Sequence, residues 1–73
     1  MAIHEIPSPM TGNVIEISVS VGDEVSEGDL LIVIESMKME NEVFSEISGT
    51  VKEVKVEEDQ NVSEEAIMFI IEN

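Results

Sequence analysis

Lysine amines are the side chains of this 73-residue sequence best suited to form a stable covalent bond with a second molecule. The sequence has no cysteine, and its basic residues are Lys38, Lys52 and Lys55. A lysine amine that has lost its proton is a nucleophile and forms a durable amide with an activated acyl group. Lys38 has the most distinctive setting, because it lies between two methionines in the segment Glu35-Ser36-Met37-Lys38-Met39-Glu40. Taken alone, Lys38 is an exposed lysine at a predicted hairpin tip, and its two methionine neighbours make the segment distinctive.

Catalytic and metal-binding motifs are missing around these lysines. His4 is the only histidine, and we assign it no role. The acidic runs at residues 57–59 and 64–65 lack the alternating ligands and the glycine of a calcium-binding loop. We interpret them as a solvated surface that opposes aggregation. The sequence therefore predicts no catalytic residue, no metal ligand and no intrinsic enzyme activity.

The charge balance narrows the classes of partner. Three lysines against 17 aspartates and glutamates give a formal net charge of −14. Such a charge excludes nucleic-acid binding through phosphate contacts and disfavours docking on an anionic membrane. The apolar runs, such as Leu30–Ile34 and Ile67–Ile71, are too short to cross a bilayer. With no cysteine and no charged-then-apolar leader, a cytoplasmic protein is expected.

The apolar composition predicts an all-β fold. Ten isoleucines and ten valines stand beside only two leucines and two phenylalanines. Branching at the β-carbon favours strands over helices. Turn residues lie at 22–24 and 57–61, and Ser63–Ala66 is the only stretch that suggests a helical turn. About eight short strands result, which fits a β-sandwich or flattened barrel.

An internal repeat is evident when the chain is aligned with itself at an offset of 37 residues. Residues 10–35 then match residues 47–72 approximately, without a gap. The identical positions are Gly12/Gly49, Val14/Val51, Glu16/Glu53, Val19/Val56, Val25/Val62, Ser26/Ser63, Glu27/Glu64, Ile34/Ile71 and Glu35/Glu72. Strand periodicity explains the matching valines and glutamates but not the glycines. We predict a single domain, residues 1–73, with two halves related by a pseudo-two-fold axis.

The two halves join at a predicted hairpin that reverses around Met37-Lys38. Tight hairpins usually carry glycine or Asn-Gly at the turn, and neither is present. If the turn is tight, two side chains occupy positions that prefer glycine, and such strain collects at functional sites. Lys52 and Lys55 fall in the strand that repeats Ile15 and Ser18, so we expect them to face solvent as surface residues.

Three segments resemble the pattern of biotinyl attachment domains. Glu35–Glu40 resembles their Ala-Met-Lys-Met or Ser-Met-Lys-Met attachment motif. Ser8–Gly12 is similar to their Ala-Pro-Met-x-Gly opening, and Val21–Leu30 is similar to their Gly-Asp-x-Val-x-x-Gly turn. The resemblance extends over nearly the whole chain.

This resemblance implies a barrel-sandwich hybrid of two four-stranded antiparallel sheets, with Lys38 on an exposed hairpin. It implies that a biotin protein ligase attaches biotin to Lys38. Biotin carboxylase and a carboxyltransferase or decarboxylase would then use the attached biotin to carry a carboxyl group. The residues expected to be recognised by the ligase or these partners are Glu35, Ser36, Met37, Met39 and Glu40. The domain would be a carrier and would catalyse nothing.

Alternatives stay open at this point. A lipoyl carrier, or one that accepts either group, shares the fold and the lysine, although lipoyl domains usually have a small residue after it. An unmodified interaction module would make Lys38 incidental. Met37 and Met39 either pack near the end of the barrel or offer an adaptable surface to partners. Glu35, Glu40 and Glu42 favour the ammonium form of Lys38, which predicts a poor spontaneous nucleophile.

The second half departs from the biotinyl pattern at its turns. Residues 58–61 replace a Glu-Gly-Asp turn, and Glu65 stands where a second glycine is usual. Residues 45–49 lack the common Ala-Pro. These are scaffold positions, so we expect any difference in the turn geometry of this half rather than at Lys38.

Overall fold

Eight β-strands make up the regular structure of the computed structural model, which describes all residues from Met1 to Asn73. The strands are β1 (Ile3–Pro7), β2 (Gly12–Ile17), β3 (Glu24–Val25), β4 (Leu30–Ser36), β5 (Met39–Phe44), β6 (Gly49–Val54), β7 (Asn61–Val62) and β8 (Ile67–Glu72). They form two four-stranded sheets, in the orders β1-β8-β6-β3 and β5-β4-β2-β7, and every pairing is antiparallel. The predicted all-β fold of two four-stranded sheets is confirmed. No helix in it is long and apolar enough to cross a membrane.

The strands of the two halves correspond at the 37-residue offset of the sequence repeat. β2, β3 and β4 begin at residues 12, 24 and 30, and β6, β7 and β8 begin at 49, 61 and 67. The irregularities correspond too, because a bulge lies between Val14 and Glu16 in β2 and between Val51 and Glu53 in β6. Each half also sends its two-residue strand, β3 or β7, to the sheet that holds the long strands of the other half.

The hydrophobic core repeats the same relation in its side chains. Its eleven buried members include five pairs at the repeat offset, namely Val14/Val51, Val25/Val62, Leu31/Met68, Ile32/Phe69 and Ile34/Ile71. Val56 completes the cluster, and its counterpart Val19 packs against it partly buried. Each half therefore contributes the same positions to one shared core, which holds the two sheets face to face.

Two glycines allow the backbones of neighbouring strands to come close. A Cβ atom at Gly12 would meet the Glu35 carbonyl oxygen and lie 2.7 Å from Cγ2 of Ile34. A Cβ atom at Gly49 would lie 2.6 Å from the Glu72 carbonyl oxygen. Both contacts are shorter than carbon side chains tolerate, so the backbone at each place needs glycine. This is the physical reason for the glycine match in the repeat.

The turns of the second half keep left-handed backbone without glycine. Gly22 and Gly28 have φ of 97° and 94°, and the counterparts Asp59 and Glu65 have φ of 70° and 75°. The expected difference in turn geometry is not found at these positions: all four residues have positive φ, and only the residue types differ. The left-handed φ of Glu65 also makes Ser63–Ala66 a turn closed by a hydrogen bond from Ala66 N to Ser63 O (3.0 Å). The helical turn suggested there was wrong, because a left-handed residue interrupts a right-handed helix.

Candidate functional site

The hairpin between β4 and β5 ends in a two-residue turn, Met37-Lys38. Ser36 pairs with Met39 directly below it, and Glu35 pairs with Glu40 one step further down. The predicted reversal at Met37-Lys38 is confirmed. The structure thus brings the whole predicted segment Glu35–Glu40 together at one hairpin end.

The turn holds two side chains in left-handed backbone conformation. Met37 has φ 54° and Lys38 has φ 64°. Positive φ at both central residues is the requirement of a type I′ hairpin turn, which normally selects Asn-Gly. Each non-glycine residue there costs about 1–2 kcal/mol relative to right-handed backbone. The side chains at this tip are therefore maintained against a conformational penalty.

The flanking methionines are exposed rather than packed. Met37 is 92% exposed and Met39 is 67% exposed. Neither belongs to the hydrophobic core or to the residues packed against it. The interpretation in which these methionines pack near the barrel end is wrong, because Met37 lies in the turn, Met39 is the first residue of β5, and both side chains face solvent. Two apolar thioethers therefore flank the amine in solvent.

Lys38 is the one lysine without a salt bridge. Nζ of Lys52 lies 3.3 Å from Oε1 of Glu72, and Nζ of Lys55 lies 3.8 Å from Oε1 of Glu53. Lys52 lies in β6, but Lys55 follows the end of that strand, which corrects its expected place within it. Glu35, Glu40 and Glu42 are exposed, and none of them forms a salt bridge with Lys38. A reaction at Nζ of Lys38 therefore needs no ion pair to break.

Asn41 is a supporting residue to which the sequence reasoning gave no role. Its side-chain Nδ2 donates to the carbonyl of Ile34 (3.3 Å) on β4 and to the carbonyl of Met39 (3.1 Å) on β5. It is partly buried and pairs with the core residue Ile34. Asparagine is unfavourable in strands, so its presence in a predicted strand is the sequence feature that could have indicated a specific role for Asn41. The hairpin is thus fastened two residues below Met39.

The site is a projection and not a cleft. One cavity of the molecule, about 540 Å³, lies between β1 and the end of β5, with Ile6, Pro7, Val43 and Phe44 among its lining residues. The other, about 360 Å³, lies beside β3. Neither is lined by residues 36–39. The arrangement presents an accessible amine at the tip of a two-stranded hairpin, where an enzyme active site can enclose it.

His4 occupies the place in the other sheet that corresponds to Asn41. It pairs with Ile71, and its Nε2 lies 3.2 Å from Oδ1 of Asn73. Asn73 also donates from Nδ2 to the carbonyl of Ser48 (3.0 Å). These contacts connect His4 with Asn73, and His4 lies in the sheet that does not contain β4 and β5.

Comparison with known proteins gives consistent matches. A family model described as "Biotin-requiring enzyme" matches residues 4–71. The biotin carboxyl carrier protein of Streptococcus mutans is 48% identical over 42 residues, which are 58% of this chain and 32% of that protein. The gamma subunit of methylmalonyl-CoA decarboxylase from Propionigenium modestum is 49% identical over 37 residues, 51% of this chain and 28% of that protein. The chain therefore spans about a third of the length of these relatives.

The fold has solved counterparts as well. A crystal structure of the urea carboxylase of Kluyveromyces lactis superposes with a TM-score of 0.88 and 30% sequence identity, covering 97% of this chain and 6% of that chain. A single-chain, multi-domain long-chain acyl-CoA carboxylase superposes equally well at 22% identity, a likeness of fold.

Proposed function

This chain belongs to the family of biotin-requiring enzymes, and from that premise we propose that Lys38 is the lysine that carries covalently bound biotin. Residues 1–73 would form one biotinyl-type carrier domain. The observation that supports the assignment is the position of Lys38 in an exposed turn of type I′ geometry. Of the three lysines, it is the one that forms no ion pair. Lys52 and Lys55 lie against carboxylates on or beside the β6 strand instead.

The residues of the hairpin fit an amide-forming reaction. Nζ of Lys38, after losing a proton, attacks the carboxyl carbon of biotin that a ligase has activated as an acyl-adenylate. An amide bond forms, and AMP leaves with the electrons of the broken C–O bond. The positive charge of Lys38 is lost, so the formal net charge falls from −14 to −15 (−14 − 1). Biotin, once attached, supplies a ring nitrogen that carries a carboxyl group.

The hairpin gives the carrier a local hinge. Ser36 and Met39 pair below the turn, and Asn41 fastens β5 to β4 by donating to the Ile34 carbonyl. The strands therefore stay in place while the long side chain of Lys38 moves. A biotin protein ligase and the partner enzymes would recognise the hairpin through Glu35, Ser36, Met37, Met39 and Glu40. The two exposed methionines offer these partners an apolar and adaptable contact surface.

The chain would act within a multi-component enzyme and catalyse nothing by itself. Its matched relatives are called a carboxyl carrier protein and a decarboxylase subunit. We infer that biotin carboxylase loads the attached biotin with a carboxyl group. A carboxyltransferase or decarboxylase subunit is the second partner. A cytoplasmic location belongs to the same proposal and suits a chain without cysteine.

Replacing Lys38 tests the assignment directly. We expect Lys38→Arg to abolish biotinylation completely, because a guanidinium group keeps the charge but is never deprotonated. The matched controls Lys52→Arg and Lys55→Arg should be biotinylated like the unaltered chain. Each protein is incubated with biotin protein ligase, biotin and ATP, and is then examined by intact mass and streptavidin blotting.

Three results would contradict the proposal. Biotin on Lys38→Arg would place the attachment elsewhere. An unaltered chain that ligase leaves unmodified would remove the biotin assignment. A lipoyl-sized increase in mass with a lipoyl ligase, together with no biotin, would make the chain a lipoyl carrier.

A further inference from the structure

The oxidisable sulfur of this chain is concentrated around Lys38. The sequence has five methionines and no cysteine, so every sulfur atom is a thioether. Met68 is fully buried in the core, and Met10 is partly buried against it. The exposed thioethers are those of Met1, Met37 and Met39. Two of the three accessible sulfur atoms therefore flank the attachment lysine.

We propose that Met37 and Met39 form an oxidation site, at which peroxide converts the thioethers to methionine sulfoxide and thereby blocks the loading of Lys38. The inference rests on the proposed function of Lys38. The oxidant is hydrogen peroxide or an organic hydroperoxide. A sulfur lone pair attacks one peroxide oxygen, the O–O bond breaks, an S–O bond forms, and water or an alcohol leaves. Sulfur loses two electrons and the peroxide gains them.

The fold tolerates this change because neither methionine contributes to packing. Met37 and Met39 lie outside the core cluster and outside the residues packed against it. Oxidation of Met68 would instead place a polar group in the core, but its burial protects it from the oxidant. Peroxide therefore alters the surface around Lys38 and leaves the stability of the domain unchanged.

Conversion of the thioethers to sulfoxides changes the polarity of the surface that a partner enzyme must bind. A thioether is apolar and flexible, whereas a sulfoxide is polar, chiral and a hydrogen-bond acceptor. An enzyme pocket that encloses the turn would have to bury one sulfoxide oxygen on each side of the amine. Burial of a polar group without a hydrogen-bond partner is unfavourable, so we expect loading to slow by about tenfold or more. Sulfoxide reductases reverse the modification, which makes the effect switchable.

The test measures loading before and after oxidation of the unmodified chain. The chain is treated with hydrogen peroxide, the excess is removed with catalase, and peptide mass mapping locates the added oxygen atoms. Biotin protein ligase, biotin and ATP are then added, and the initial rate of biotinylation is compared with that of untreated chain. We expect the rate to fall by about tenfold or more, the unfolding midpoint to stay unchanged, and the rate to recover after treatment with methionine sulfoxide reductases.

Two variants locate the effect. For each variant, the biotinylation rate after peroxide treatment is divided by the rate without treatment. This ratio should be near one for the Met37→Leu/Met39→Leu double variant, even if the substitutions themselves change the untreated rate. It should stay low for Met10→Leu, whose hairpin methionines are intact. A chain oxidised at Met37 and Met39 that is loaded at the untreated rate would overturn the proposal, as would continued sensitivity of the double variant. Failure of the untreated chain to load on Lys38 would instead overturn the proposed function.

Discussion

The outer faces of the two sheets match in backbone and differ in charge. On one sheet, Glu16 and Glu42 flank Val33 across three strands. On the other, Glu53 and Glu5 flank Ile70 in the same way. The second face also carries Lys52, which pairs with Glu72 (3.3 Å). The counterpart of Lys52 in the first half is Ile15, so the face beside the Lys38 hairpin has no strand lysine.

The two sheets also differ in charge at equivalent strand ends. Glu35 and Glu40 lie directly opposite each other beneath the Lys38 turn. Their counterparts in the other sheet are Glu72 and Ile3, which also pair. Like charges placed opposite each other on neighbouring strands are destabilising. One face of the duplicated scaffold thus carries lysine–glutamate pairs, whereas the strands of the face that presents the candidate site carry glutamates and no lysine.

The strongest test of the duplication is to substitute the two closely packed glycines. We expect Gly12→Ala and Gly49→Ala each to lower the free energy of unfolding by about 3 kcal/mol, because the added Cβ meets backbone that cannot move away. Urea unfolding followed by circular dichroism measures both. Gly22→Ala is the contrasting variant: Gly22 has positive φ, unlike Gly12 and Gly49, but its Cβ would enter open space, so the loss should be about 1 kcal/mol and come from the backbone alone. Tolerance of alanine at one of the two close positions would show that the halves are not equivalent there.

The paired turns should respond in opposite directions to opposite substitutions. Gly28 has φ 94° and open space around it, so Gly28→Ala should cost about 1 kcal/mol through the backbone alone. Its counterpart Glu65 has φ 75°, so Glu65→Gly should stabilise the domain by about 0.5 kcal/mol. Relief of the left-handed penalty there exceeds the greater entropy of glycine in the unfolded chain. Unfolding midpoints in urea measure both changes, and a destabilised Glu65→Gly would mean that the glutamate side chain itself supports this turn.

The sequence repeat predicted most of the equivalences between the two halves that the glycine and turn substitutions test. The offset that aligned Val14 with Val51 and Ile34 with Ile71 also aligns the core, because the alternation of strands places equivalent residues on equivalent faces. The Met37-Lys38 reversal followed from where the halves meet. The exchange of β3 and β7 between sheets could not be predicted, since two residues show no periodicity.

Side-chain contacts at the site were less predictable than its backbone. The sequence places Glu35, Glu40 and Glu42 near Lys38 but does not fix their rotamers, and in the structure none of them pairs with it. The role of Asn41 depends on its register opposite Ile34. The two-residue turn sets this register directly, whereas the bulge between Leu30 and Ile32, which nothing in the sequence marks, changes the pairing only beyond Ile32.

The smallest changes in stability are expected when one carboxylate charge is removed from each face. Glu40→Gln removes a like charge opposite Glu35 and should stabilise the domain by about 0.3 kcal/mol at low salt. Glu72→Gln removes the partner of Lys52 and should destabilise it by about 0.5 kcal/mol, a small value because that lysine is half-exposed. Both differences should shrink in high salt, where exposed charges are screened. Thermal unfolding of the two isosteric variants at low and high salt gives the comparison. Equal shifts of the same sign would mean that the two faces do not differ electrostatically, despite their different lysine content.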